Sequence, residues 1–132
     1  MTMRKESRKN IRIKLPRPLR VVMGSIGAEV RYDVTTRNIS HTGFFLDFEK
    51  PGRFPFTPAS ILEIWMELET DLSIFFNGKM ARVVYPGDER AKETGPGIAV
   101  RIVQMDSKNE KILFDYIDRK VKELQEKKIH VA

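Results

Sequence analysis

Apolar and polar residues alternate in short stretches along most of this chain. Ala28, Val30, Tyr32 and Val34 alternate with Glu29, Arg31 and Asp33, and Leu62, Ile64, Met66 and Leu68 alternate with Glu63, Trp65 and Glu67. A period of two is the mark of a strand with one face buried. Strands are therefore predicted over 28–37 and 61–69. Leu19 to Ser25 is a further strand, joined to the next at the glycine-containing turn Gly24-Ser25-Ile26-Gly27. Gly43 to Phe48 and Gly97 to Gln104 add two more. Leu72 to Phe76 and Lys79 to Tyr85 flank Asn77-Gly78, a strong short hairpin signal, and are read as a two-strand hairpin. Proline- and glycine-containing stretches at 49–58 and 86–96 read as loops. Of the neighbours Phe44 and Phe45, one is expected in the core and the other partly exposed. Trp65 is expected to pack under the C-terminal helix described next, with a partner-facing anchor as the alternative.

After residue 106 the period lengthens. Ser107-Lys108-Asn109-Glu110 has the form of a capping box, in which the Ser and Glu side chains satisfy each other's free backbone N–H groups. Leu113, Ile117, Val121 and Leu124, flanked by Phe114 and Tyr116, then form an apolar stripe at helical spacing. The helix is predicted to run to about Lys127. Six or seven short strands and one final helix give an all-β fold with one C-terminal α-helix, a six- to seven-stranded antiparallel β-barrel.

The 132 residues suit one domain. They divide into an arm at 1–17, the barrel at 18–105, and the helix and tail at 106–132. The arm lacks hydrophobic periodicity and ends in Pro16-Arg17-Pro18, so it is read as flexible or extended. The net charge of +6 belongs to this end of the chain: residues 1–20 hold eight Lys/Arg and one acid, while the other 112 residues hold 16 basic and 17 acidic groups. A basic arm on a nearly neutral body points to an anionic partner such as a nucleic acid, a membrane surface or a phosphorylated ligand. No apolar run approaches the ~18 residues of a membrane span, and the charged N-terminus is unlike a signal peptide. A cytoplasmic protein without membrane insertion is expected. The absence of cysteine excludes disulfides, thiolate metal sites and cysteine nucleophiles.

Nothing in the chain points to catalysis. The two histidines are His41 and His130, and no His/Asp/Glu cluster has metal-ligand spacing. The glycine pairs at 24/27 and 95/97 lack the strand–loop–helix context of a phosphate loop. No enzyme activity, metal or cofactor is expected. Two short motifs point to binding instead. Arg8-Lys9-Asn10-Ile11-Arg12 is an R-x-x-x-R in the basic arm, and Asn38-Ile39-Ser40-His41-Thr42-Gly43 is an N-x-S-x-x-G between two apolar runs. Arg4 and Arg8 share the first spacing, but Ile13-Lys14-Leu15 follows Arg12 as a short extended segment, which favours Arg8 and Arg12.

In this order and spacing, followed by an all-β pattern, the two motifs resemble the PilZ domain, a bacterial receptor for the second messenger cyclic di-GMP. The resemblance covers nearly the whole chain and implies a β-barrel that binds this ligand. Arg8 and Arg12, with Lys9 adding charge, would close over the ligand's phosphates and guanines; the planar arginine fork suits both. Asn38 and Ser40 would hydrogen-bond one guanine. Gly43 would let the backbone turn and approach closely, with a positive φ expected there. Most members of the family have Asp at the position of Asn38. A carboxylate offers two acceptor oxygens, whereas an amide offers one acceptor and two donors. The resemblance implies a stand-alone receptor and adaptor that signals to an unidentified protein partner. The alternatives are a degenerate PilZ adaptor that binds no nucleotide, and a small nucleic-acid-binding β-barrel using the basic arm. The last is disfavoured because the body is slightly acidic and no strand face interleaves aromatic and basic residues.

Overall fold

A computed structural model describes residues 12–48 and 56–131. Six antiparallel strands close into a barrel: β1 (Arg12–Ser25), β2 (Tyr32–Ser40), β3 (Gly43–Asp47), β4 (Leu62–Glu69), β5 (Leu72–Val84) and β6 (Gly97–Gln104). A four-residue helix, α1 (Ala91–Thr94), interrupts the loop before β6, and α2 (Ser107–Val131) ends the chain. Around the barrel the strands run β1-β2-β3-β6-β5-β4. Closure satisfies the strand edges that an open sheet would leave exposed. Among the described residues no helix is long and apolar enough to cross a membrane.

The alternation read from the sequence places one set of side chains inside. Val21 and Met23 of β1, Ile64 and Met66 of β4, Ile74 and Phe76 of β5, and Ile98 and Val100 of β6 are all buried. Each such burial contributes about 1.5–3 kcal/mol, so the inward faces hold the barrel together. Helix α2 joins this core through Leu113, Tyr116 and Ile117.

Five expectations are corrected. First, β1 begins at Arg12, so residues 12–17 belong to the barrel, not to an arm. Ile13 and Leu15 are buried, and Arg12, Ile13 and Lys14 pair with Ser40, Ile39 and Asn38. The two prolines fall where the β1–β2 register breaks, between Lys14 and Leu19, and opposite none of the β4 residues that pair with β1. Proline is tolerated there because no ladder N–H is needed. Second, Asn77-Gly78 is not a hairpin turn; β5 runs unbroken through it, with a register irregularity at that point. A Cβ on Gly78 would lie 2.9 Å from both Ile64 Cδ1 and Val100 Cγ1, so glycine there admits close packing. The turn between β4 and β5 is at Thr70-Asp71, between the stretches read as strands over 61–69 and 72–76.

Third, the N-cap is Asp106, one residue before the predicted Ser107. Its carboxylate accepts the backbone N–H of Asn109 at 2.8 Å and the side-chain N–H at 2.9 Å, and these bonds hold it below the usual carboxylate range. Asn109 in turn accepts the Phe75 N–H at 3.1 Å, which ties α2 to β5. Fourth, Trp65 is not under the helix. It points outward, 37% exposed, with Phe75 at 4.9 Å between ring centroids. Fifth, Phe44 and Phe45 are both buried.

Candidate functional site

The N-x-S-x-x-G motif spans the end of β2, a two-residue turn at His41-Thr42 and the start of β3. Ile39 sits in the core, 1% exposed. Strand alternation therefore puts Asn38 and Ser40 on the outer face together. Ile13 does the same for Arg12 and Lys14 on β1. The register then sets Arg12 opposite Ser40 and Lys14 opposite Asn38, within reach of cross-strand contact. On the other side of β3, Gly43 pairs with Arg101 and Phe45 with Ala99 of β6. Arg82 of β5 pairs with Ala99 in turn.

These residues enclose a cleft of about 230 Å³, lined by Arg12, Asn38, Ser40, Gly43, Phe45, Arg82, Arg101 and their neighbours. It contains three guanidinium groups, and no Asp or Glu is among its described lining residues. Nor does any described acid pair with Arg12, Arg82 or Arg101. The cleft is thus a cationic depression with a buried aromatic ring, Phe45, among its lining. A larger cleft of about 660 Å³ lies between the proline segment of β1 and α2, but it contains none of the motif residues.

Three details define how the motif is held. The Ser40 hydroxyl accepts the backbone N–H groups of Gly43 at 3.2 Å and Thr42 at 3.3 Å, and lies 3.2 Å from the Gly43 carbonyl. It braces the turn through the local serine–backbone pattern that favours such bends. Thr36, fully buried, donates its hydroxyl to the Phe45 carbonyl at 2.5 Å and lies 3.2 Å from the Asn38 carbonyl. This bond spans the irregularity between Thr36 and Asn38 in the β2–β3 pairing. The Asn38 side chain makes no hydrogen bond to a described residue and faces the cleft. His41, given no role by the sequence, is buried beneath the turn. Its ring meets Phe114 of α2 edge-on at 4.4 Å, and Nε2 lies 4.0 Å from an Asp118 carboxylate oxygen.

Gly43 serves the site differently from the expectation. Among the described residues, positive φ occurs only at Gly27 and Gly95. At Gly43 the constraint is space: a Cβ would collide with the Val100 carbonyl and come within 3.3 Å of Arg101 Cα. The glycine lets β3 and β6 approach closely where the cleft forms. Of the six residues predicted to bind ligand, Arg12, Asn38, Ser40 and Gly43 line this one cleft. Arg8 and Lys9 lie outside the described residues. The sequence reading missed Arg82, Arg101 and Thr36, which belong to no local motif.

The sequence matches the PilZ domain family over residues 4–119. This chain is a PilZ domain. Solved structures agree in fold. The PilZ domain of YcgR from Escherichia coli, determined with cyclic di-GMP, superposes with a TM-score of 0.60 at 15% identity, covering 89% of this chain and 95% of that one. The PilZ domain of CeSA from a cellulose-synthesising bacterium gives 0.53 at 16% identity, covering 88% and 99%. The Bacillus subtilis inhibitor of motility, MotI/DgrA, gives 0.65 at 16% identity over 83% of this chain, which spans only 48% of that protein. Among curated proteins no sequence relative matches. The PilZ match and these superpositions agree with the barrel and terminal helix read from the sequence.

Proposed function

We propose that this PilZ domain is a receptor for cyclic di-GMP that signals to a protein partner. One observation carries the reading: Arg12 and Asn38, from two motifs 26 residues apart, face the same cleft, whose described lining contains no acid. Arg12 takes a ligand phosphate through its bidentate fork. Asn38 offers its amide to the edge of a guanine. Ser40 holds the turn that presents Asn38, and Gly43 sets the cleft's depth. Arg8 and Lys9 of the N-terminal segment add charge over the bound nucleotide. The YcgR domain, whose structure contains cyclic di-GMP, shares the fold and supports the choice of ligand.

The signal leaves through the turn. His41 follows Ser40 directly and packs on Phe114 of α2. A ligand that orders or shifts the turn biases the seating of the helix, which presents the changed surface to the partner.

Isothermal titration with cyclic di-GMP, beside GTP and a short DNA duplex, tests the reading. Saturable binding of cyclic di-GMP alone is expected. Binding of the duplex in its place would favour a nucleic-acid barrel, and a flat titration with all three would favour a nucleotide-free adaptor.

A further inference from the structure

Outside the residues of the two motifs, the cleft has a second wall. Arg82 on β5 and Arg101 on β6 line it, both exposed and without a described acid partner. They reach it by topology: β6 lies between β3 and β5, so Arg101 stands opposite Gly43, and Arg82 opposite Ala99. Val100 is buried at 2%, so Ala99 and Arg101 share the outward face.

Size and charge give this wall a task. About 230 Å³ is less than the ~300–1,000 Å³ of pockets that engulf drug-sized ligands. A cyclic dinucleotide with two guanosines and two phosphates cannot enter such a cleft whole, so part of it must project. On the β1–β2 side the projecting part meets Arg12. On the other side it meets Arg82 and Arg101. Three guanidinium groups without a described acid partner around one small depression repel one another, and an anion between them relieves that repulsion. Other arginines without described partners, such as Arg17 and Arg90, do not converge on this cleft.

We infer that Arg82 and Arg101 are ligand-binding residues that hold the second phosphate of cyclic di-GMP, on the side of the cleft opposite Arg12. This rests on the proposed function and adds to it two residues and a placement: the ligand straddles β3, held from β1 on one side and from β5 and β6 on the other.

The test is titration of the full chain with cyclic di-GMP, comparing native protein with Arg82→Gln, Arg101→Gln and Arg90→Gln. Arg90 is exposed and does not line the cleft, so its variant reports the loss of one charge without loss of a contact. Both cleft variants are expected to bind about tenfold more weakly or worse, as for a lost charge-assisted bond, while Arg90→Gln binds like the native chain. Unchanged melting temperatures would show that the fold is intact, as expected for exposed side chains. Native binding together with cleft variants that match Arg90→Gln overturns the inference and leaves the receptor reading standing. Failure of the native chain to bind overturns both.

Discussion

Two outer faces of one barrel use arginine in opposite ways. Around Trp65, Arg20 makes a two-pronged contact with Asp33, its Nη2 at 2.9 Å, and approaches Glu67 at 3.5 Å; Arg31 pairs with Glu63 at 3.2 Å and lies 4.8 Å from the Trp65 ring. These cations are spent on the barrel itself, lacing β1 and β2 to β4. Around the N-x-S-x-x-G turn, Arg12, Arg82 and Arg101 meet no described acid. Strand geometry is the same on both faces, so the difference lies in what the sequence places within reach of each arginine. On the first face those neighbours are the acids Asp33, Glu63 and Glu67. On the second they are Ser40, Gly43 and Ala99. Small uncharged neighbours leave both room and charge for an anion from outside.

The contrast can be broken most severely at Gly43. Gly43→Val should destabilise the domain by about 1–3 kcal/mol or more, the usual cost of overpacking, because its Cβ meets backbone at Val100. Thermal unfolding followed by circular dichroism should show a clear fall in melting temperature; an unchanged value would mean that β3 and β6 are not so close. Arg12→Gln against Arg20→Gln sharpens the comparison itself. The first should cost about 1.5–3 kcal/mol of cyclic di-GMP binding with little change in stability. The second should leave binding intact, and equal losses would erase the distinction between the faces.

Next is His41→Ala, which removes a buried ring between the turn and α2. A loss of about 1–3 kcal/mol is expected, with hydrogen exchange accelerated in the first turns of α2 more than in β4. Uniform acceleration would deny the link from turn to helix. On the paired face, Trp65→Ala should cost about 0.5–1 kcal/mol for the lost cation–π contact, besides its half-exposed packing, and should not alter ligand affinity. The smallest effect is Asp106→Asn, which keeps an oxygen cap but removes the charge at the α2 N-terminus. Hydrogen bonds from Asn109 lower the Asp106 pKa in the folded state. Its stabilising contribution is therefore present above the unfolded value of about 3.9 and is lost as pH falls through the lowered folded value. The native melting temperature should exceed the variant's at neutral pH, and the gap should close in strong acid.

The fold was largely legible because each strand buries one face, and a period of two survives in any single stretch of sequence. The errors arose where one local signal serves two structures. Asn-Gly marks a hairpin turn, but at 77–78 it fits an irregularity inside β5 where Gly78 nearly touches its neighbours. Asp106 and Ser107 are both good N-caps, and only the bonds to Asn109 distinguish them. Alternation put Trp65 outside correctly, but the placement of α2 depends on packing, which no short window records. The candidate site divides in the same way. Arg12, Asn38, Ser40 and Gly43 were visible because each sits in a local motif. Arg82 and Arg101 reach the cleft only through barrel closure, and nothing near them in sequence sets them apart from the other exposed arginines.

The most direct test of the contrast between the faces is an amide-resolved NMR titration of the full chain with cyclic di-GMP. The expected shifts fall on Asn38 to Gly43 and Ala99 to Arg101, while the Trp65 indole and the amides of Arg20 and Arg31 stay still. Shifts centred on Trp65, with the turn unmoved, would place the ligand on the face whose arginines are already paired and would contradict the assignment of the site.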